Sequence, residues 1–121
     1  MIGLELGIQY SRKPLGVQSF LLDDYPATAA YSLRALSSST TNVVRVRRSS
    51  DNAERDVTPS YITDSLETWV GAGNDGFVTT WYDQSGNGLD ATQSTSSEQA
   101  KIVDNGSLVM QNGKPALLFD G

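Results

Sequence analysis

The amino-acid sequence predicts a mostly β fold, and three observations lead to that prediction. Residues Gly76–Tyr82 are β-branched and aromatic, which is typical of a buried strand. Ser85–Gly88 follows at once, and its glycines and asparagine adopt positive φ at low cost, so we expect the strand to turn there. Asn-Gly pairs at 105–106 and 112–113 separate short apolar runs, as in β-hairpins.

Composition bounds the size and class of the protein. The chain has 121 residues, of which 38% are hydrophobic, so we predict one domain with a modest core. Its net charge of -5 argues against binding to nucleic acid or to an anionic membrane surface. Cysteine and histidine are absent, which excludes disulfides, Ser-His-Asp triads and ordinary zinc sites. We also predict no signal peptide and no membrane-spanning segment, because no suitable apolar run is present.

Residues 1–26 are predicted to form an N-terminal arm that is separate from a domain over residues 27–121. The arm contains two short apolar runs, Met1–Ile8 and Val17–Leu22, with a break at Pro14. These runs either form a hairpin that covers the domain's own edge or dock on a partner by completing its sheet. The candidate docking residues are Ile2, Leu4, Leu6, Ile8, Val17, Phe20, Leu21 and Leu22.

Two short helices are predicted in the first half of the domain. Residues Ala27–Leu36 are rich in alanine and place apolar side chains on one helical face, before the serines at 37–39 end the pattern. Residues Ile62–Val70 form the second helix, with Thr63 as its N-cap. Its inward-facing residues are Leu66, Trp69 and Val70.

Residues Val43–Arg48 alternate apolar and basic side chains, which predicts a strand with one exposed face. Residues Ser49–Asn52 then predict a turn. The arginines at 45, 47 and 48 are followed at once by carboxylates between positions 51 and 56. We therefore expect these arginines to form ion pairs on the strand and not to bind nucleic acid.

The remainder of the chain is predicted to consist of short strands. Leu89–Gln93 begins an extended piece, and residues 94–98 form a polar loop. Three strands follow, at Gln99–Val103, Leu108–Met110 and Pro115–Phe119. The last apolar run stops just before Gly121, so we expect this chain to be the front piece of a longer one or to pair with a neighbour.

Four separated stretches resemble one protein family. They are AYSLR at 30–34, VRVRRSSDNAE at 44–54, TWYDQSGNG at 80–88 and NGKPA at 112–116. In this order and spacing they are similar to the N-terminal half of the concanavalin-A-like, laminin-G-like jelly-roll domains of phage tail-fibre and other virion proteins. A more distant likeness is to the catalytic domain of the α-L-arabinofuranosidase B family. The likeness covers about residues 27–121.

The resemblance implies a jelly-roll β-sandwich, or its N-terminal half, in a phage virion protein of the tail-fibre type. It implies that the arm attaches to other virion proteins, that the β-domain is structural or binds cell-surface glycan, and that the protein is a homotrimer. In the enzyme family the catalytic carboxylates lie in the half without a counterpart here, and its paired cysteines, which shape the sugar pocket, have no counterpart in a chain without cysteine. We therefore predict no enzymatic activity. The alternatives are an arabinofuranosidase-like hydrolase fragment and a free carbohydrate-binding module.

The end of the predicted strand at Gly76–Tyr82 and the turn after it hold the candidate glycan-binding residues. They are Trp81, Tyr82, Asp83, Gln84 and Asn87. An aromatic ring packs on the apolar side of a sugar, but adjacent strand residues point to opposite faces, so at most one ring faces a given groove. The alternative is that the rings pack in the core and that Asp83 and Asn87 bond turn backbone and hold neighbouring strands in register.

The same turn has partial patterns for metal binding and for hydrolysis. Residues 83–88 have the front half of a calcium loop, but Ser94 stands at the twelfth position, where such loops need a glutamate. Asp83 and Asp90 are the best local carboxylate pair, but they sit around one turn and nothing singles them out for hydrolysis. We predict no metal, no cofactor and no catalytic residue.

Overall fold

A computed structural model describes residues 20–119 of the chain, and it has a mostly β fold with few short helices. The strands are β1 Val44–Arg48, β2 Glu54–Val57, β3 Gly76–Trp81, β4 Ala91–Thr92, β5 Lys101–Asp104, β6 Ser107–Leu108, β7 Met110–Gln111 and β8 Lys114–Pro115. The helices are α1 Leu21–Asp24, α2 Pro59–Asp64 and α3 Leu66–Val70, with a 3₁₀ turn at Ser96–Glu98. The predicted β class is confirmed.

The strands form an antiparallel six-stranded sheet and a separate pair. The sheet has the order β2-β1-β3-β5-β6, and β4 pairs with the second half of β3. Strands β7 and β8 form the two-stranded sheet. Strand β3 is therefore central, with β1 along one side and both β4 and β5 along the other.

The core lies on one face of this sheet, under α2 and α3. Valines at alternate positions of β1 are completely buried, and Ile62, Leu66 and Val70 of the helices pack against them. Gly76 permits the close approach of α3, because a Cβ there would lie 3.1 Å from Val70 Cγ2 and 3.2 Å from Val103 Cβ. Apolar burial of this kind is the main stabilising contribution to a domain of this size.

The predicted helix at Ala27–Leu36 is wrong, because this segment has no helix and the first helix is instead at Leu21–Asp24. The backbone of the segment is hydrogen-bonded to side chains that lie about fifty positions further along the chain. Examples are the N–H of Ala30, which donates to Asp83, and the N–H of Leu36, which donates to Gln84. These bonds satisfy the backbone without a helix, so alanine's propensity does not decide the conformation.

The predicted helix at Ile62–Val70 is two helices that meet at Ser65. Thr63 is not the N-cap, since Thr58 Oγ1 accepts the N–H of Tyr61 at 3.1 Å and Pro59 begins α2. The predicted inward residues are confirmed. Leu66 and Val70 are buried, and Trp69 is partly buried against the core.

The predicted strands at Val43–Arg48 and Gly76–Tyr82 are confirmed within one residue. Strand β2 was not predicted, because its charged side chains hide its one buried residue, Val57. The turn at Ser49–Asn52 connects β1 to β2, as expected.

The C-terminal strands differ more from the prediction. Both Asn-Gly turns are confirmed, with φ of 52° and 86° at Asn105 and Gly106 and of 54° and 77° at Asn112 and Gly113. The expected strand at Leu108–Met110 is divided between β6 and β7. The expected strand at Pro115–Phe119 pairs only at β8 and through a bridge between Leu118 and Lys101, so most of it is irregular.

Candidate functional site

Gln84 is buried, with 8% exposure, and its side-chain amide is fully hydrogen-bonded. Its Oε1 accepts the N–H of Leu36 and the hydroxyl of Thr40, both at 2.7 Å. Its Nε2 donates to the carbonyls of Ser32 at 3.2 Å and Arg34 at 2.8 Å. Gln84 therefore ties the irregular segment before β1 to the end of β3.

Asp83 makes a similar set of bonds. Its Oδ1 accepts the N–H groups of Ala30 at 2.8 Å and Ser85 at 2.9 Å. Its Oδ2 accepts the Ser85 hydroxyl at 2.7 Å and the Leu89 N–H at 3.0 Å. Desolvation raises the pKa of this carboxyl, but the bonds from Ser85, Ala30 and Leu89 together outweigh it and lower the pKa to about 2.

Asn87 and Ser85 extend this network. Asn87 Nδ2 donates to the carbonyls of Thr28 at 2.8 Å and Ala27 at 3.4 Å, and the Ser85 hydroxyl lies 3.0 Å from the Thr28 carbonyl. We call Asp83, Gln84, Ser85 and Asn87 the corner clamp. The predicted bonding of turn backbone is confirmed for Asp83. Asn87 instead bonds the backbone of residues 27 and 28. Neither side chain connects two strands.

Tyr82 lies on a charged surface away from the core. Its hydroxyl donates to Asp56 Oδ1. Burial, as the larger cause, and this hydrogen bond together raise the pKa of the phenol to about 12. Arg45 bonds the same Asp56 at 3.2 Å and Glu54 at 3.0 Å. Since Trp81 instead packs against the core cluster, the two neighbouring rings have different surroundings, as strand alternation predicted.

An open groove lies beside Trp81 and has a volume of about 530 Å³. The end of β3, the segment around residue 31 and the chain from β8 to residue 119 line it. We call it the aromatic groove and define it by Tyr31, Leu33, Arg34, Trp81, Lys114 and Phe119. The rings of Tyr31 and Trp81 are 6.0 Å apart between centroids and tilted by 53°.

The polar atoms of Tyr31 and Trp81 differ in their hydrogen bonding. The Tyr31 hydroxyl donates to the carbonyl of Leu89 in the loop after the corner clamp. The Nε1 atom of Trp81 is buried and has no hydrogen-bond partner. An unpaired buried donor costs about 1–3 kcal/mol, so Trp81 is held there by its apolar contacts.

Of the glycan-binding candidates, Trp81 lines the aromatic groove, whereas Asp83, Gln84 and Asn87 belong to the corner clamp and Tyr82 to the charged surface. Sequence reasoning missed Tyr31, Arg34, Lys114 and Phe119 as groove residues. The local sequence pattern does not indicate them, because the segment around residue 31 and the segment at 114–119 come together only in the folded chain. Most of them do lie in the resembling stretches at 30–34 and 112–116.

The expected ion pairs on β1 are confirmed for two of the three arginines. Arg45 pairs with Glu54 and Asp56, and Arg48 pairs with Asp51 at 2.8 Å. Arg47 instead bonds Gln99 at 3.0 Å and lies over the ring of Phe77.

Of the docking candidates, Ile2, Leu4, Leu6, Ile8 and Val17 lie outside the described residues. Leu21 is half exposed at 52%, Phe20 is partly buried, and the N–H of Leu22 donates to the carbonyl of Leu36 at 2.7 Å.

Residues 20–119 contain neither a cluster of metal ligands nor a helix that could span a membrane. No group of three or more acidic side chains in this range is placed to hold a metal ion. No helix there has the length and apolar character that crossing a bilayer requires.

Comparison of the chain with protein-family models, with curated proteins and with solved structures gave no match.

Proposed function

We propose that this chain is a non-enzymatic phage virion protein of the tail-fibre type, whose β-domain binds cell-surface glycan in the aromatic groove. The observation that carries this proposal is the pairing of Tyr31 and Trp81 at an open groove of about 530 Å³. Pockets for small ligands are commonly about 300–1,000 Å³ and combine apolar walls with a few polar groups. The groove has this character, with rings, aliphatic side chains and two basic groups.

Sugar recognition suits this arrangement of side chains. A pyranose ring has an apolar face that packs on an aromatic ring, while its hydroxyls need polar neighbours. Tyr31 and Phe119 are exposed and Trp81 is partly exposed, so their rings are accessible to a ligand. The chain segment that carries Tyr31 is fixed by the corner clamp, so the ring needs little ordering when a ligand binds.

The contacts of Asp83 and Asp90 support the absence of glycosidase activity. A glycosidase needs a protonated carboxylic acid, and its pKa is usually raised to serve that role. The pKa of Asp83 is lowered to about 2, and both of its oxygens are engaged. Asp90 Oδ1 accepts the main-chain N–H of Asp83 at 2.9 Å. Asp83 is therefore suited to hold the turn and not to donate a proton, and Asp90 bonds the backbone of the same turn.

The jelly-roll fold and the virion assembly are part of the same proposal. An antiparallel sheet with one helix-covered face is compatible with half of a jelly-roll sandwich. Leu118 is exposed at 49% and does not line the aromatic groove, and a neighbouring copy in a homotrimer would cover such a side chain. Residues 1–26 attach the fibre to other virion proteins.

Glycan binding is tested with the full chain on an array of bacterial surface polysaccharides. We expect specific binding, and we expect Phe119→Ala to weaken it about tenfold, because an aromatic anchor in an interface contributes on the order of 1–2 kcal/mol. Met110→Ala is the matched control, since Met110 is also exposed, at 50%, and lies outside the groove. Wild-type protein that binds no polysaccharide, or equal effects of both variants, would contradict the proposal.

Virion attachment is tested by deleting residues 1–19, which leaves α1 and the bond from Leu22 to Leu36 in place. We expect phage particles assembled with this shortened chain to carry much less of it than particles with the full chain. Normal occupancy would show that the arm is not the attachment segment, and it would leave the glycan proposal standing.

A further inference from the structure

The aromatic groove contains two basic side chains that have no carboxylate partner among residues 20–119. Arg34 and Lys114 are both exposed and line the groove. Neither side chain forms an ion pair or a hydrogen bond with any residue in the range 20–119. Arg34 is anchored only through its main chain, where its carbonyl accepts from Gln84.

A basic side chain without an ion pair or an aromatic contact is unusual within the described part of the chain. The other basic side chains there pair with carboxylates or lie over aromatic rings, and they are Arg45, Arg47, Arg48, Arg55 and Lys101. The whole sequence has 14 acidic and 9 basic residues, so carboxylate partners are plentiful. Two unpaired cations at one groove therefore form a local positive site on an acidic protein.

We propose that the aromatic groove binds a saccharide that carries an anionic group, a sugar carboxylate or sulfate, contacted by Arg34 and Lys114. This inference rests on the proposed glycan-binding function and specifies its ligand. The guanidinium of Arg34 matches the geometry of a carboxylate or sulfate with parallel N–H donors, and Lys114 adds a point charge. Tyr31 and Trp81 pack on the apolar face of the same sugar.

The charge of the remaining surface restricts which anionic ligands fit. A net charge of -5 repels long polyanions, and nucleic-acid binding needs more phosphate contacts than two cations provide. A single acidic sugar within a polysaccharide places one charge near Arg34 and Lys114 and neutral groups elsewhere. The groove therefore selects a saccharide with scattered charges and disfavours a densely charged polymer.

The experiment uses the full chain on bacterial capsular and O-antigen polysaccharides of known composition. Each uronic-acid polymer is printed in its native form and after chemical reduction of its carboxyl groups to alcohols, beside neutral and sulfated polymers. We expect binding to polysaccharides whose uronic acids or sulfates are separated by neutral sugars, and a loss of at least about tenfold on carboxyl reduction of a uronic-acid polymer, since a hydrogen bond to a charged group is worth about 1.5–3 kcal/mol. Binding confined to sulfated polymers would identify sulfate as the anionic group.

The protein side is tested with Arg34→Gln and Lys114→Gln. Both substitutions keep the main-chain bonds of these residues, so the corner clamp and strand β8 are unaffected. Each should reduce binding of the acidic polymer about as much as carboxyl reduction does. Arg55→Gln is the matched control, because it removes the same charge from a side chain that lies outside the groove, over the Tyr61 ring at 4.1 Å from its centroid.

The outcomes separate this inference from the function on which it rests. Equal binding of native and carboxyl-reduced polymers, with no binding of sulfated ones, would overturn the acidic ligand and leave glycan binding in place. An equal loss in Arg34→Gln and Arg55→Gln would also overturn it, since the attraction would then be non-specific. No binding to any polymer would overturn both.

Discussion

The corner clamp and the aromatic groove share neighbouring residues of the chain, yet the polar side chains of the clamp are hydrogen-bonded within the fold and a polar atom of the groove is not. Strand β3 ends at Trp81, which lines the groove, and Gln84 of the clamp follows three residues later. All side-chain hydrogen-bonding positions of the Gln84 amide are used within the fold, whereas the Trp81 N–H has no partner. The Gln84 amide therefore has no unused hydrogen-bonding position, whereas the groove is lined by a residue with an unpaired buried donor.

The difference shows how to separate structural polar residues from binding residues in a loop-rich domain. Asp83, Gln84 and Asn87 look like ligand-binding residues in the sequence because they are polar and follow a strand. The bonds of Asp83 to Ala30, Ser85 and Leu89, and of Gln84 to residues 32–40, leave these two side chains little hydrogen-bonding capacity for a ligand. The Nδ2 atom of Asn87 is likewise engaged by the Thr28 carbonyl. The side chains of Arg34 and Lys114 make no hydrogen bond or ion pair within residues 20–119, so we expect the ligand site at the groove.

The largest effect that tests this comparison is the loss of stability in Gln84→Ala. The substitution leaves two donors and two acceptors of residues 32–40 without partners near a buried site. Each unpaired buried group costs about 1–3 kcal/mol, and some regain water, so we expect a loss of about 3 kcal/mol in the free energy of unfolding. Urea unfolding at equilibrium measures it.

Gln111→Ala is the matched control, because Gln111 is exposed on β7 and its side chain has no bond within residues 20–119. A change of less than about 0.5 kcal/mol is expected for such a surface substitution. If Gln84→Ala costs no more than the control, the clamp does not hold the segment and the comparison fails.

The next prediction concerns the acid sensitivity of the clamp. The pKa of Asp83 is lowered to about 2 in the folded protein, below the value of about 4 for an unfolded aspartate. Its ionised form therefore stabilises the fold above pH 4, and this contribution is lost as the pH falls from about 4 to about 2. We expect Asp83→Asn to lower the melting temperature at pH 6 and to approach the wild type at pH 2.

The measurement is thermal unfolding of both proteins across this pH range. Asp64→Asn, at the exposed end of α2, controls for the loss of one carboxylate and should melt like the wild type at pH 6. A constant difference between Asp83→Asn and wild type from pH 6 to pH 2 would show that the carboxylate charge does not stabilise the clamp.

Sequence reasoning succeeded where the physical determinants are local. Alternating valines in β1 and positive φ at the Asn-Gly turns depend on neighbours only a few residues away, and both were predicted correctly. The segment Ala27–Leu36 was predicted as a helix from its alanine-rich pattern. That prediction is wrong because the conformation depends on Asp83 and Gln84, about fifty residues further along the chain. No local pattern in residues 27–36 contains that information.

The candidate site shows the same limit. Trp81 was selected for its aromatic ring, and the structure places it at the groove. Arg34 and Lys114 were not selected, because a basic residue in isolation does not reveal whether a carboxylate lies nearby. Their importance depends on the absence of a partner within the described fold, which sequence alone does not supply.

The smallest expected effect is on the stability of Lys114→Gln, and it sharpens the comparison from the side of the groove. Lys114 is exposed on β8 and forms no ion pair with residues 20–119, so its substitution removes no contact that stabilises the fold. We expect the free energy of unfolding to stay within about 0.5 kcal/mol of the wild type. Urea unfolding of this variant therefore complements its binding measurement.

A stable Lys114→Gln protein with weakened binding places the residue in recognition, because a merely structural residue would lose stability and binding together. A loss of 2 kcal/mol or more would instead mean that Lys114 supports the fold, and the groove would then resemble the clamp.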